Sequence, residues 1–456
     1  MTENSATPGA SAEHAPGELS VEHGQGASTS GETGGGPGPE RVRTQVPALG
    51  VEVHARVWGG GIGAGWRTPL VLVHGLGLSS RYFAPLGRRL AALGHRVLAP
   101  DLPGFGRTRP VVGAERPAGP DVRSQAEHLI AWMDATGLQR AVLFGNSVGV
   151  QVALEVATRF PERVERLVLE GPTPDPAYRS PVKQYARVLR NMLFEPPSLN
   201  SVYQADYASA RGVRVFAQLA RTVDDPIEER LPLVQAPTLV VRGRHDQTLS
   251  QEWAERVTGM LPQGRLVVVE GAAHNVHYAA PHIAARLIHT FLISELDGAE
   301  VSGAAADGVV VPADRAHRDP LAPRLPISTR THGLLDYATA AVCVSVPTLL
   351  GWGPRTRALW AGVAVSASAY SLLTDYERGV LRKIPMPVHL NIDAGTGMQL
   401  VLAAATVLRG EPAAGRWATA ALGLYEIAVA NATQKPAGPA HLVPLPAQVS
   451  TDPAAR

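Results

Sequence analysis

The 456-residue sequence contains one cysteine, Cys343. That excludes a disulfide framework within the chain and any zinc site built on cysteines. Cys343 also lies in an apolar run, where a thiolate nucleophile is disfavoured. Charge of either sign is in short supply as an excess: 42 basic residues face 40 acidic ones, so there is no basic footprint for nucleic acid. Charged residues make up 18 % of the chain, against about 25 % in an average protein, and the last third is poorer in them than the rest. No apolar stretch follows a basic start at the N-terminus, so a secretory leader is not expected and the folded part is expected to begin in the cytoplasm.

Residues 1–40 are mostly Gly, Ser, Thr, Pro, Glu and His, with almost no aliphatic side chains. Such a segment cannot bury enough apolar surface to offset its ordering entropy and reads as a disordered arm. From 41 to 297 short β-branched runs alternate with amphipathic helical stretches. The runs are 51–57, 70–73, 96–99, 141–144, 166–169, 238–241 and 266–269. Most are continuous and apolar, as expected of parallel strands buried on both faces. The alternation predicts a doubly wound α/β sheet. Residues 172–231 break the rhythm with helix-like stretches and many aromatics (Tyr178, Tyr185, Phe194, Tyr203, Tyr207, Phe216), which predicts a helical cap.

A linker rich in Ala, Gly, Asp and Pro follows at 298–326, and the composition then changes sharply. Within 327–436, residues 337–354 and 358–374 carry no Asp, Glu, Lys or Arg, 394–408 are similarly clean, and 417–434 are interrupted only by Glu426. These are four candidate membrane helices near the lower length limit of about 17 to 20 residues. Residues 437–456 read as a disordered tail. The segment also repeats: His332, Asp336, Thr339 and Trp360 recur 57 positions later as His389, Asp393, Thr396 and Trp417, which implies two copies of a two-helix unit.

The strongest chemical signal is Gly145-Asn146-Ser147-Val148-Gly149, directly after one apolar run and before a helical pattern. A strand-to-helix turn this sharp exposes the serine oxygen and puts the next amide at a helix N-terminus, where it can donate to an oxyanion. A serine needs a base oriented by a carboxylate. Asp246 and His274 each follow a predicted strand, at the sheet edge where open α/β folds bind ligands. His245, His277 and His282 compete for the base, but their positions suit surface or cap contacts better. His74-Gly75-Leu76-Gly77 follows 70–73, so the Leu76 amide joins that of Val148 as a candidate oxyanion donor, while His74 suits a structural role in orienting that loop.

With Asp101-Leu102-Pro103-Gly104-Phe105-Gly106 added, these motifs resemble the α/β-hydrolase superfamily over roughly 46–295. The resemblance implies eight strands, a cap after the sixth, and a Ser147–His274–Asp246 triad needing no cofactor or metal. Members that open epoxides or displace halides carry aspartate at the elbow, so Ser147 implies acyl transfer: an esterase, lipase, thioesterase or carbon–carbon bond hydrolase. Haloperoxidase-like members without a cofactor share the triad. The cap aromatics suit an apolar acyl or aryl group or the cap's own core, and no individual substrate-binding residue is assigned.

The C-terminal segment, with Leu373-Thr374-Asp375-Tyr376-Glu377, Pro385-Met386-Pro387-Val388-His389-Leu390 and Ser345-Val346-Pro347, is similar to small four-helix bacterial membrane domains of the SPW-repeat type. His332/Asp336 and His389/Asp393 are each four apart, so each pair shares a helix face. A polar contact gluing the helices together is the simplest reading of them, with a metal, a proton relay or a substrate site as alternatives. Gly362, Ser366, Ala369, Gly395 and Gly397 suit close helix packing. A slight basic excess on one flank places both termini in the cytoplasm. The expectation is therefore a multi-pass, membrane-tethered serine hydrolase with a cytoplasmic catalytic domain and a small acyl substrate, lipidic if the tether brings the cleft to the bilayer. A catalytic domain serving as sensor for a C-terminal transport module, and a C-terminal bundle that is not in a membrane, are the rival readings.

Overall fold

A computed structural model describes residues 19–21, 38–59, 68–111, 121–210, 213–293, 326–433 and 440–443. In chain order the strands are β1 (Leu19–Val21), β2 (Glu40–Val46), β3 (Val51–Trp58), β4 (Leu70–Val73), β5 (Val97–Pro100), β6 (Arg109–Pro110), β7 (Ala141–Asn146), β8 (Val164–Glu170), β9 (Thr238–Gly243), β10 (Gly264–Val269) and β11 (Ala440–Val443). They form one mixed sheet in the order β1-β2-β3-β5-β4-β7-β8-β9-β10-β11, with β6 on β3. From β5 to β10 every pairing is parallel, and β1, β2, β3 and β11 pair antiparallel.

Among the described residues six helices flank the sheet and four form the cap. Those around it are α1 (Ala84–Ala92), α2 (Val122–Ala135), α3 (Val148–Arg159), α8 (Gln251–Met260), α9 (Val276–Ala279) and α10 (Pro281–Ile293), with α7 (Ile227–Arg230) at the cap's return. The period of two in the strands sorts their side chains: Val71, Val73 and Leu143 join the core under α2, α3 and α8, while Leu70, Leu72, Val142 and Phe144 join the core under α1 and α10. Both faces being covered, β4, β5 and β7 are buried along their whole length, which is why their sequences are continuous apolar runs. Between β8 and β9 the cap rises as α4 (Pro181–Met192), α5 (Pro197–Ser209) and α6 (Val213–Thr222), closed by α7.

The C-terminal unit consists of α11 (Thr329–Leu349), α12 (Pro354–Leu373), α13 (Met386–Ala405) and α14 (Ala413–Ala432). α11 packs on α12 and α13 on α14, so each sequence repeat is one helical hairpin. Trp360 Nε1 donates to Thr419 Oγ1 at 2.8 Å across the two hairpins. The bundle touches the cap through Asn391 on α13. Its Nδ2 donates to the carbonyls of Leu193 (3.1 Å) and Glu195 (2.6 Å), and its Oδ1 accepts from Asn200 on α5 at 2.9 Å.

Three expectations need correction. No helix among the described residues is long and apolar enough to cross a membrane. With 20 or 21 residues each, the four helices reach about 30 Å at about 1.5 Å per residue, so it is apolarity that falls short. Their charge-free runs are diluted by Ala, Gly, Ser and Thr, and they carry His332, Asp336, His389, Asn391, Asp393 and Glu426. Second, the arm and tail are not wholly without structure: Leu19–Val21 pairs with β2, and Ala440–Val443 pairs with β10. The rest of 1–37 and 444–456, and the linker apart from Pro326, lie outside the described residues. Third, the eight strands β2–β5 and β7–β10 match the expected count, with the cap after the sixth, but β1, β6 and β11 are additional.

The small residues of the bundle divide into two kinds. A Cβ on Gly397 would stand 2.5 Å from the Gly423 carbonyl oxygen, and one on Gly423 would stand 2.4 Å from that of Gly397. Gly395 and Gly362 face open space, with nothing within 4 Å of a built Cβ, so they do not serve close packing. Gly397→Ala should therefore destabilise the bundle by about 1–3 kcal/mol through overpacking. Gly395→Ala, two residues away, should stabilise it by about 1 kcal/mol through helix propensity. Thermal unfolding of the two variants beside wild type checks this, and equal shifts would contradict the α13–α14 contact.

Candidate active site

The site begins with a turn that only glycine flanks permit. β7 ends at Asn146, and Ser147 takes φ 57° and ψ −120° before α3 begins at Val148, a conformation that costs a non-glycine residue on the order of 1–3 kcal/mol. A Cβ on Gly145 would lie 2.5 Å from the Gly149 carbonyl oxygen, and a Cβ on Gly149 would lie 2.2 Å from that of Val73. The helix start is thus pressed against β4, and Ser147 stands at the C-terminal edge of the sheet. Its amide donates to the Glu170 carbonyl at 2.9 Å, which ties the turn to β8.

Asp246 and His274 sit on the loops after β9 and β10, and the structure joins them. Asp246 Oδ2 lies 2.7 Å from His274 Nδ1, and both side chains are buried. The other carboxylate oxygen accepts from the Thr248 amide and hydroxyl, each at 2.7 Å. Arg242, itself buried, donates to the Asp246 and Leu249 carbonyls and holds this loop to β9. Burial alone would raise the Asp246 carboxyl, but His274, Thr248 and Arg242 outweigh it and leave it below its ordinary value. Burial would likewise lower the His274 imidazole, yet Asp246, aided by Glu195 and Glu170, raises it above 6.5. With Nδ1 engaged by Asp246, Nε2 is the free nitrogen, and it has no hydrogen-bond partner.

Ser147, His274, Leu76 and Val148 all line one cleft beneath the cap. The Leu76 and Val148 amides donate to no protein acceptor among the described residues, so both are available to an oxyanion. The cleft's roof comes from α4 (Gln184, Val188, Asn191, Met192), α5 (Tyr203, Tyr207), α6 (Leu219, Thr222) and Val223 just after it. No Lys or Arg lines it among the described residues.

The competing histidines are engaged elsewhere. His74 Nε2 accepts from the Leu102 amide at 3.0 Å, so its Nδ1 donates to the Gly75 carbonyl at 3.1 Å, and burial keeps the ring below its ordinary pKa. His277 is buried against Glu170, Nδ1 to Oε1 at 2.6 Å. His245 stacks on Phe194. The Asp101 loop does not line the cleft: Asp101 is buried under it, accepting from His54, Ser80 and Arg107.

Several polar residues around the site escape a reading of sequence. Glu195, where the cap passes from α4 to α5, is fully buried and accepts at Oε1 from the Asn275 amide (3.0 Å), Asn275 Nδ2 (2.8 Å) and Asn191 Nδ2 (2.8 Å). It thereby grips the residue next to His274. Asn146 of the elbow donates to Glu170 and accepts from Tyr82. A metal-binding set within the cleft is absent among the described residues; the only such group, His332, Asp336, His389 and Asp393, lies in the bundle.

A general base must be unprotonated, so hydrolysis should rise with pH along an acid limb centred above 6.5. Asp246→Asn removes the main influence that raises His274. It should move that limb to lower pH and lower kcat by on the order of 10⁴-fold. A pH–rate profile for both proteins checks this, and an unmoved limb in the variant would contradict the Asp246–His274 pairing.

Residues 70–287 match the model of the alpha/beta hydrolase family. The chain is 30 % identical over 284 residues to a 2-hydroxymuconate semialdehyde hydrolase of Pseudomonas putida, covering 54 % of this chain and 95 % of that one. It is 28 % identical over 259 residues to a 2-hydroxy-6-oxononadienedioate/2-hydroxy-6-oxononatrienedioate hydrolase of Cupriavidus pinatubonensis, covering 50 % and 88 %. It is 29 % identical over 266 residues to a 2-hydroxy-6-oxo-2,4-heptadienoate hydrolase of Pseudomonas putida strain F1, covering 51 % and 91 %. With the elbow serine, the acid and base loops and the cap in their places, the chain belongs to the alpha/beta hydrolase family.

Proposed function

We propose that the protein is a serine hydrolase acting through an acyl-enzyme on an uncharged ester, thioester or related acyl compound. The observation that carries this reading is the Asp246–His274 pair, with a free Nε2, in the same cleft as a serine at a strained elbow. Ser147 Oγ attacks the acyl carbon and His274 Nε2 takes its proton. Asp246 orients the ring and stabilises the imidazolium. The Leu76 and Val148 amides bind the developing oxyanion. The imidazolium then protonates the leaving group, and water, activated by the same nitrogen, releases the acid and restores the serine.

The lining favours a neutral, apolar substrate. The relatives' names denote carboxylate-bearing compounds, whereas Tyr203, Tyr207, Met192, Val188, Leu219 and Val223 face this cleft with amides and hydroxyls but, among the described residues, no Lys or Arg. Desolvating a free carboxylate there without a partner would be costly.

Attachment to a lipid surface is part of the same proposal, on narrower grounds. Leu349, Leu350, Val344, Val365, Leu402, Val407, Trp417 and Leu424 of the bundle and its turns are exposed, while its buried interior holds His332, Asp336, His389 and Asp393. An apolar exterior of this extent suits a lipid partner. The attachment would use this outer face, since no described helix is long and apolar enough to cross.

A fluorophosphonate probe should label wild type and not Ser147→Ala, and kcat/KM for p-nitrophenyl esters should fall at least 10³-fold in the variant, on the order seen when a serine nucleophile is removed. Neutral aryl and medium-chain esters should be preferred to dienoate acids. Absence of labelling in folded wild type would overturn the reading. Flotation of the purified chain with phospholipid vesicles checks the lipid attachment separately, and protein left at the bottom of the gradient would sink it.

A further inference from the structure

The four side chains that repeat at an offset of 57 meet at one point inside the bundle. All four are buried, and one ligand atom from each lies within 4.8 Å of every other. His332 Nε2 is 3.1 Å from His389 Nε2, 3.0 Å from Asp393 Oδ2 and 3.2 Å from Asp336 Oδ1. His389 Nε2 is 3.3 Å from Asp336 Oδ2 and 3.2 Å from Asp393 Oδ2. Each repeat therefore supplies one imidazole and one carboxylate, four residues apart on α11 and on α13.

The outer hydrogen bonds decide which nitrogen each ring presents. His332 Nδ1 is 2.7 Å from Thr433 Oγ1, and His389 Nδ1 is 2.7 Å from Thr374 Oγ1. Both hydroxyls already donate to backbone carbonyls, Thr433 to Val429 and Thr374 to Tyr370, each at 2.7 Å. A hydroxyl has one proton, so each threonine oxygen must accept from its histidine, and the hydrogen sits on Nδ1. In the neutral ring Nε2 is then a lone pair. Two such lone pairs 3.1 Å apart, facing two carboxylates, repel one another unless a cation lies among them.

The carboxylates are oriented from behind in the same way. Tyr370 Oη donates to Asp393 Oδ1 at 2.6 Å, and Tyr376 Oη and Ser371 Oγ donate to Asp336 Oδ2, each at 3.1 Å. Outer-sphere donors that fix the direction of every ligand are characteristic of metal centres. Ligand atoms at about 2.0–2.1 Å from a tetrahedral zinc stand about 3.3 Å apart, close to the separations here. Two carboxylates and two neutral imidazoles carry two negative charges, which a divalent ion balances.

We propose that His332, Asp336, His389 and Asp393 bind one divalent first-row transition-metal ion, such as zinc, in a closed site that locks the two hairpins together. With four protein ligands the site has the coordination of a structural rather than a catalytic centre. It joins α11 to α13, where the sequence repeats themselves share no covalent tie but the 374–385 turn.

The full chain, purified without chelators and reconstituted separately with Zn²⁺, Mn²⁺ and Co²⁺, should retain about one equivalent of metal after gel filtration, measured by elemental mass spectrometry. His332→Gln combined with His389→Gln should lose it. Thr374→Val, which leaves all four ligands in place, should weaken affinity about 10- to 100-fold. Because the double variant can fail to fold, wild type supplies the independent reading: chelator should lower its Tm, zinc should restore it, and Co²⁺ should give visible d–d absorption. Fluorophosphonate labelling of the same samples reports the hydrolase unit separately, so a failure of that activity does not count against the metal. Less than about a tenth of an equivalent of every metal in wild type would overturn the proposal in favour of a proton-sharing cluster. Metal content unchanged in a folded double variant would place the ion elsewhere and overturn it equally.

Discussion

The catalytic end of the molecule depends on how closely the start of α3 approaches β4. A Cβ at Gly149 would sit 2.2 Å from the Val73 carbonyl oxygen, and one at Gly145 would meet the backbone of Gly149 itself. Two missing side chains let the chain reverse direction within one residue, so the strained φ of 57° falls on Ser147. The same approach brings the Val148 amide, at the helix N-terminus, beside the loop that carries Leu76. The placement of Ser147 and of the Leu76 and Val148 amides is therefore a consequence of one steric constraint. The buried parallel strands on either side, paired Leu72 with Phe144 and Gly145 with Leu169, supply the rigidity that holds the strain.

Burial then sets the electrostatics. Each ionised group under the cleft has its own protein partner: Asp101 with His54, Glu170 with His277, and Asp246 with His274. Within that arrangement His274 keeps one nitrogen free. Glu195 differs from the others because its partners are neutral amides, and burial raises its carboxyl above the ordinary value. Its position couples the cap's placement to the base loop. The backbone carbonyl of the same residue accepts from Asn391 of the bundle, so cap, base loop and bundle meet at Glu195.

The candidate site residues were legible because their pattern is local in sequence. A strand, two glycines and a serine specify the elbow, and an acid and a histidine after successive strands follow from sheet topology. Glu195, Asn275 and Thr248 were not legible, since a buried amide–carboxylate contact between the cap and the loop after β10 spans 80 positions and leaves no pattern in either segment. β1 and β11 were missed for a related reason: runs of three and four residues have little propensity of their own and gain their conformation from the sheet edge they pair with. The bundle was misread because absence of charge was taken for apolarity. Runs of Ala, Gly, Ser and Thr are uncharged, but they are not apolar enough to make a membrane crossing, whereas the 57-residue repeat corresponds to the two hairpins and to the side chains that meet between them.

The two units solve the problem of buried charge in different ways. Under the hydrolase cleft Asp101, Glu170 and Asp246 each face one histidine, and a single shared proton suffices for each pair. In the bundle two carboxylates face two imidazoles whose Nδ1 protons are already committed to Thr433 and Thr374. Full protonation of both rings would put two N–H groups 3.1 Å apart at the seam. α13 also has a second duty on its other side: Asn391 lies two residues from His389 and from Asp393, roughly 200° around the helix from each, and reaches the cap. One helical turn thus holds the seam of the bundle inward and the cap outward, and fixing its rotation serves both contacts at once.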